Sequence, residues 1–268
     1  MTPALLIDVY DQCVVENDGD YPYVPLSYVW GGQQGLLATK ANIAILHRPN
    51  SLANPTSRGS LPKTIRHTLG IAKLLGERYL WVDTLCIVQD GGSQKQEELS
   101  KMSGIYANSS VTILAIQGDH ADSGLRGFSG ISEPRSVQQV VHYLADGTKI
   151  LQVPADGQFH DLECPNPVWS TRAWTYQENM CSRRKLIFDG DSLWWECMEG
   201  VWREHIDGTV QLDSVFGDVA ACRSMLRASM LEFSEFEVVL GAYNMYQNPS
   251  SIYRTSPITI YTGYSHYA

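Results

Sequence analysis

Apolar side chains recur along this chain in short runs divided by polar and glycine-rich stretches, and the spacing inside each run sets the element it predicts. Residues 5–15 alternate loosely, as a strand or ribbon does, before the turn cluster Glu16-Asn17-Asp18-Gly19-Asp20. Val24-Pro25-Leu26-Ser27-Tyr28-Val29-Trp30 predicts a buried strand that feeds Gly31-Gly32, and residues 50–60 predict a loop. A helix opens at Leu61-Pro62-Lys63-Thr64, with Pro62 suited to its first turn. Ile65, Leu69, Ala72 and Leu75 or Gly76 recur at helical spacing, and Gly76 is a natural stop. Residues 79–88 are almost continuously apolar, which predicts a strand buried on both faces and interrupted by Asp83. Residues 94–106 predict a polar helix with Leu99, Met102 and Ile105 or Tyr106 facing inward, and residues 110–116 a further buried strand.

Strand, helix, strand, helix, strand in that order predicts an α/β fold, a parallel sheet flanked by helices. Beyond it, residues 119–130 read as a glycine-rich loop and 137–153 as a hairpin turning at Asp146-Gly147. Residues 170–180 predict a compact helix that Ser170 or Thr171 can cap. Residues 185–188 and 192–197 straddle Asp189-Gly190-Asp191 as a second hairpin. Residues 215–246 read as mainly helical, and the last twenty, with Pro249 and Pro257, as extended. The β-hairpin and helical additions thus gather toward the carboxyl end, and we expect one domain over 1–206 with an extension over 207–268 packed on it.

Charge narrows the partners. The net charge is −9, which repels a polyanion over long range and argues against nucleic acid. The one basic knot, Arg183-Arg184-Lys185, is too short to track a phosphate backbone and reads as a solvated helix end. Six cysteines include no CxxC pair and no histidine at ligand spacing, so no structural zinc and no other metal is expected. The first residues carry no basic segment followed by a long apolar one, and no apolar run is long enough for a membrane span. The expectation is a cytoplasmic protein with free thiols.

Three segments in order resemble the fungal heterokaryon-incompatibility (HET) domain: Leu26-Ser27-Tyr28-Val29-Trp30-Gly31, Leu80-Trp81-Val82-Asp83-Thr84-Leu85-Cys86-Ile87-Val88-Gln89-Asp90, and Arg172-Ala173-Trp174-Thr175-Tyr176-Gln177-Glu178. The stretches Leu61-Pro62-Lys63-Thr64-Ile65 and Leu193-Trp194-Trp195-Glu196-Cys197 support the match. The resemblance implies a distant kinship with the Toll/interleukin-receptor (TIR) fold, which is flavodoxin-like. It also implies a cell-death or self/non-self effector, a homo-oligomer on activation, and a regulatory protein partner. In enzymatic TIR domains a glutamate one turn after a tryptophan supports cleavage of NAD at the nicotinamide–ribose bond, and Trp174 and Glu178 match that W-x-x-x-E pattern. NAD or a related nucleotide is then a substrate, with no resident cofactor.

Several alternatives stay open on the residues themselves. Glu178 is either the catalytic carboxylate, set against the ribose as carboxylates are in glycoside hydrolysis, or a helix-surface group near Arg183 or Arg184, or a partner of Arg172. Trp174, four residues earlier on the same helical face, is either core or a stacking platform. Arg172 points away from that face unless the first turn bends. Ser27, Trp30, Gly31 and Gly32 either line a nucleotide crevice at a strand's carboxyl end or form a tight turn. Asp83 is either an acceptor for neighbouring amides or a cleft residue holding a ribose hydroxyl. Cys86 reads as buried core, and Gln89 and Asp90 as loop and cap residues. A non-enzymatic signalling module and an enzyme of small-molecule metabolism remain as rival functions.

Overall fold

A computed structural model describes residues 2–32, 35–54, 61–135, 140–145, 149–152, 168–198 and 200–203. The expected helix over 215–246, the extended end, the turn at Asp146-Gly147 and the extension beyond 206 lie outside the described residues. The chain divides into two units, Met1–Pro134 with Pro165–Gly190, and Arg135–Cys164 with Asp191–Ala268.

The first unit opens with β1 (Leu5–Asp8) and β2 (Cys13–Glu16), an antiparallel pair in which Leu5 faces Glu16. Only a four-residue turn joins them, and so short a link permits no parallel pairing. The parallel core comprises β3 (Tyr23–Ser27), β4 (Tyr79–Trp81), β5 (Thr112–Ala115) and β8 (Arg184–Asp189). Strand β3 pairs in parallel with β4 (Tyr23 beside Tyr79) and with β5 (Ser27 beside Leu114), and β5 pairs in parallel with β8. The order across the unit is β8-β5-β3-β4-β1-β2. Counted along the four parallel strands alone, the spatial order is second, first, third, fourth, which is the flavodoxin-like arrangement. The sheet is mixed overall, because the edge ribbon pairs antiparallel with β4.

Helices bind this sheet through faces their sequences encode. After the short α1 (Ile43–Leu46), α2 (Lys63–Leu74) buries Ile65, Leu69 and Ala72, packs on β3 and β4, and is followed by Gly76 at φ +76°. Tyr23, Pro25 and Ser27 share one face of β3 by strand alternation. Over that face lies α5 (Met102–Ala107), where Tyr23 Oη donates to the Ile105 carbonyl (2.7 Å) and Tyr106 meets Trp81 edge-on. The later helix α6 (Ala173–Cys181) packs on α5. The second unit contributes two antiparallel hairpins, β6 (Val140–Tyr143) with β7 (Lys149–Gln152), and β9 (Ser192–Cys197) with β10 (Gly200–Arg203).

Four local expectations change. The apolar run 79–88 is not one strand: β4 stops at Trp81, and α3 (Asp83–Cys86) follows, closed by Cys86 N donating to the Val82 carbonyl (2.7 Å). The polar helix 94–106 breaks at Lys101 into α4 (Ser93–Ser100) and α5. There Glu98 rather than Leu99 turns inward, held by Lys101 Nζ (2.9 Å) and the Ala4 amide (3.3 Å). Neither Ser170 nor Thr171 caps α6. The residue before the helix is Arg172, and Thr171 Oγ1 donates to the Val168 carbonyl instead. Arg184 and Lys185 begin β8 rather than ending a helix, and Lys185 Nζ donates to Asn179 (2.9 Å).

Cys13, Cys86, Cys181 and Cys197 are free thiols, and Cys86 is core as expected. Among the described residues, no helix is long and apolar enough to cross a membrane. Trp81 is fully buried against Tyr106, so Trp81→Ala should cost about 3–5 kcal/mol in urea unfolding, with Trp81→Phe retaining most of it. Equal midpoints for the two variants would remove Trp81 as a packing centre.

Candidate functional site

In an open α/β sheet, a crevice forms at the carboxyl ends of strands where successive connections depart to opposite sides. Here that point is β3, which has β4 on one side and β5 on the other. Ser27 ends β3 and Asp83 follows β4 by two residues, so both lie at this end of the sheet.

The third segment comes from far along the chain. Ser27 Oγ donates to Glu178 Oε2 on α6, across 151 residues, and accepts a hydrogen bond from Trp169 Nε1 (2.9 Å). Glu178 is 5% exposed and Ser27 1%, so Glu178 is neither a helix-surface group nor one turned toward Arg183. Burial raises its carboxyl above the usual range, while the Ser27 hydrogen bond and the Arg172 charge oppose that rise. Arg172 does bend in. Its backbone is extended (φ −88°, ψ 130°), it precedes the first helical residue, and its Nη1 donates to the Tyr28 carbonyl (2.8 Å).

Asp83 forms the opposite wall. Its Oδ2 accepts from Trp30 Nε1 (2.9 Å) and its Oδ1 from the Thr84 amide (2.8 Å), while part of the residue stays accessible. Burial first, and then the charge of Glu178, push its carboxyl up to about 7. Two carboxyl groups within each other's field thus share one nearby guanidinium, and Asp83 keeps its proton to a far higher pH than an ordinary aspartate does. Below them Tyr28 Oη meets Thr84 Oγ1 (3.0 Å), and Tyr28 and Tyr106 are both driven well above the usual phenol range, first by burial. Gln89 Nε2 donates to the carbonyls of Asp83 and Ile87 (2.9 Å each), and Asp90 accepts from the Lys40 amide. Both are loop residues; Gln89 braces α3, and Asp90 holds the segment around Lys40.

The structure therefore brings Ser27, Trp30, Asp83, Arg172 and Glu178 into one linked group. Trp174 lies outside it in environment: it shares the Glu178 side of α6 but is 52% exposed, one turn nearer the helix start, so it is not core. Gly31 and Gly32 are exposed at the rim. Gly31 has φ +71°, and a Cβ there would sit 2.4 Å from His120 Cβ, so the packing of the loop after β5 accounts for this glycine without any ligand. A Cβ on Gly32 would meet open space.

Trp169 was not legible as a site residue. It lies in an irregular stretch with no periodicity, and its only signal is a donor-capable ring shortly before the Glu178 helix. Among the described residues, no group of three or more His, Cys, Asp or Glu side chains could hold a metal ion.

A family model described as heterokaryon incompatibility protein matches residues 23–178, more than half of the chain, from the first residue of β3 to Glu178 itself. No curated protein and no solved structure matches the chain significantly.

The Asp83 carboxyl yields a signed pH prediction. In the folded state it keeps, up to about pH 7, a proton that the unfolded chain releases near the ordinary aspartate value of 3.8. Its contribution is therefore fully present below that value and is lost as pH rises through about 7. Asp83→Asn should gain stability relative to wild type as pH rises from about 4 to about 7 and hold a constant difference above that, read as the difference in urea midpoints. A pH-independent difference would place the carboxyl in the ordinary range. Gly31→Ala should lose about 1–3 kcal/mol in the same assay, since both its φ and its contact with His120 exclude a Cβ.

Proposed function

This chain is a member of the heterokaryon-incompatibility (HET) family, and we propose that it is a cell-death effector that cleaves NAD at the nicotinamide–ribose bond when self-associated. The observation that carries the reading is the buried Glu178 carboxylate, held by Ser27 beside Arg172 and Asp83 at the sheet's switch point. Its W-x-x-x-E spacing from Trp174, which resembles that of enzymatic TIR domains, adds support.

The chemistry suits one such carboxylate. When the C–N bond breaks, its electron pair passes to the pyridinium nitrogen and nicotinamide leaves as a neutral molecule, so no general acid is required at the leaving group. Positive charge develops on the ribose ring, and a carboxylate held out of water stabilises it more strongly than one in solution. Water then adds at C1′, and its proton has Glu178 as an acceptor. Among the described residues, nothing hydrogen-bonds Glu178 Oε1, so that oxygen remains for the substrate. A protonated Asp83 can donate to a ribose hydroxyl. The guanidinium of Arg172, with one hydrogen bond among the described residues, keeps further N–H groups for a ribose or phosphate oxygen.

A second reading has its own observation: Trp174, Tyr176 and Met180 of α6 are all more than half exposed. These exposed apolar groups, Tyr176 and Met180 on one face and Trp174 on another, favour a module that assembles and relays death through partners without turning over a nucleotide.

Nicotinamide release from NAD separates the two. The wild type should show activity that rises more steeply than protein concentration, and Glu178→Gln should lose at least about 100-fold while still folding. No release by either protein, even when tethered into oligomers, would sink the enzyme reading. Equal release by both would acquit Glu178.

A further inference from the structure

We infer that Trp169 is a positioning residue for the proposed reaction: its indole N–H occupies the oxygen of Ser27 and commits the Ser27 hydroxyl proton to Glu178. This inference rests on Glu178 being the reacting carboxylate, but the arrangement of the three side chains stands apart from that reading.

The direction of the chain of hydrogen bonds follows from donor and acceptor types. An indole N–H can only donate, an ionised carboxylate can only accept, and a serine hydroxyl does both. Trp169 Nε1 donates to Ser27 Oγ (2.9 Å), and Ser27 Oγ donates to Glu178 Oε2. All three residues are buried, and among the described residues Ser27 Oγ has these two partners and no others. If Glu178 took up a proton and donated back to Ser27, the serine oxygen would receive two donors and its own proton would point at nothing. A buried hydroxyl proton without an acceptor is costly. The indole also polarises the Ser27 O–H, which strengthens its hold on the anion.

The helix that carries Glu178 also sets Trp169. Thr175, fully buried on α6, donates through Oγ1 to the Trp169 carbonyl (2.5 Å) and contacts the Arg172 carbonyl (2.7 Å). Trp169 and Glu178 are thus fixed to one rigid element from either side of Thr175, with Ser27 of β3 between their side chains. The charged and titratable groups that face Glu178 are Arg172 ahead of α6, Asp83 at the start of α3, Tyr28 just past β3, and Tyr106 on α5. None of them hydrogen-bonds the Trp169 indole or the Ser27 hydroxyl.

The test is a direct titration of Glu178 by carbon-13 NMR of labelled glutamate side chains, assigned by its loss in Glu178→Gln. Ser27→Ala should raise the midpoint by about one pH unit and Trp169→Phe by about half a unit. Because Trp169 acts through Ser27, Trp169→Phe should add no further shift in the Ser27→Ala background. Benzothienylalanine at position 169, which keeps the ring shape and lacks the N–H, should reproduce the Trp169→Phe shift if the phenylalanine variant fails to fold. The acid limb of nicotinamide release should move by the same amount as the midpoint. No shift on removing the N–H, or an equal shift with and without Ser27, would overturn the relay. The titration needs no turnover, so absence of NAD cleavage would leave this result intact. Conversely, loss of turnover in Glu178→Gln together with a Glu178 midpoint unmoved in Trp169→Phe would overturn the relay alone.

Discussion

Everything in the first unit hangs from one strand hydrogen-bonded on both sides. All five residues of β3 are buried; Tyr23 to Pro25 lie in register with β4, and Leu26 and Ser27 with β5. Pro25 sits at the change of partner, where a residue without a backbone N–H leaves one ladder position unfilled. The helices between these strands pack where that arrangement puts them, and the crevice opens where the two connections part. Were β3 displaced to an edge, Ser27 would lose its neighbours and Asp83 would have no opposite wall.

Two acidic groups in so dry a place are an electrostatic liability, and the structure handles them differently. Asp83 receives two neutral N–H donors, yet burial and the charge of Glu178 outweigh them, so it remains protonated well above the usual carboxyl range. Glu178 has a hydroxyl and a guanidinium acting on it, which restrain the rise that burial imposes. Neighbouring carboxyls driven apart in proton affinity are a common way to hold an acid and a base in one cavity. Arg172 acts on both; what sets Asp83 apart is its burial and the added charge of Glu178.

What could be read from the residues beforehand followed from how local each signal was. α2 was legible because Ile65, Leu69 and Ala72 repeat at the helical period, and β5 because every one of its residues is apolar enough to be buried. The break after Trp81 was not, since an apolar run serves a strand and a helical turn equally well, and only the bonds to the Val82 carbonyl decide between them. Ser27, Asp83 and Glu178 were each visible as unusual residues in motifs. Their meeting was invisible, because no spacing rule reaches across 151 positions. Arg172 was legible only as a condition, that it turns inward if the first turn bends; the extended backbone at that position meets the condition and swings its side chain back to Tyr28.

The interleaving of the two units also sets an order of events on the ribosome. Residues 135–164 belong to the second unit and separate β5 from α6 in the chain, so β3, β4 and β5 have been synthesised well before Glu178 appears. A nascent chain at that stage has the serine and the aspartate without the glutamate. The acidic group reaches its place only after an excursion through other structure, and a translating cell therefore holds an incomplete site until α6 has emerged.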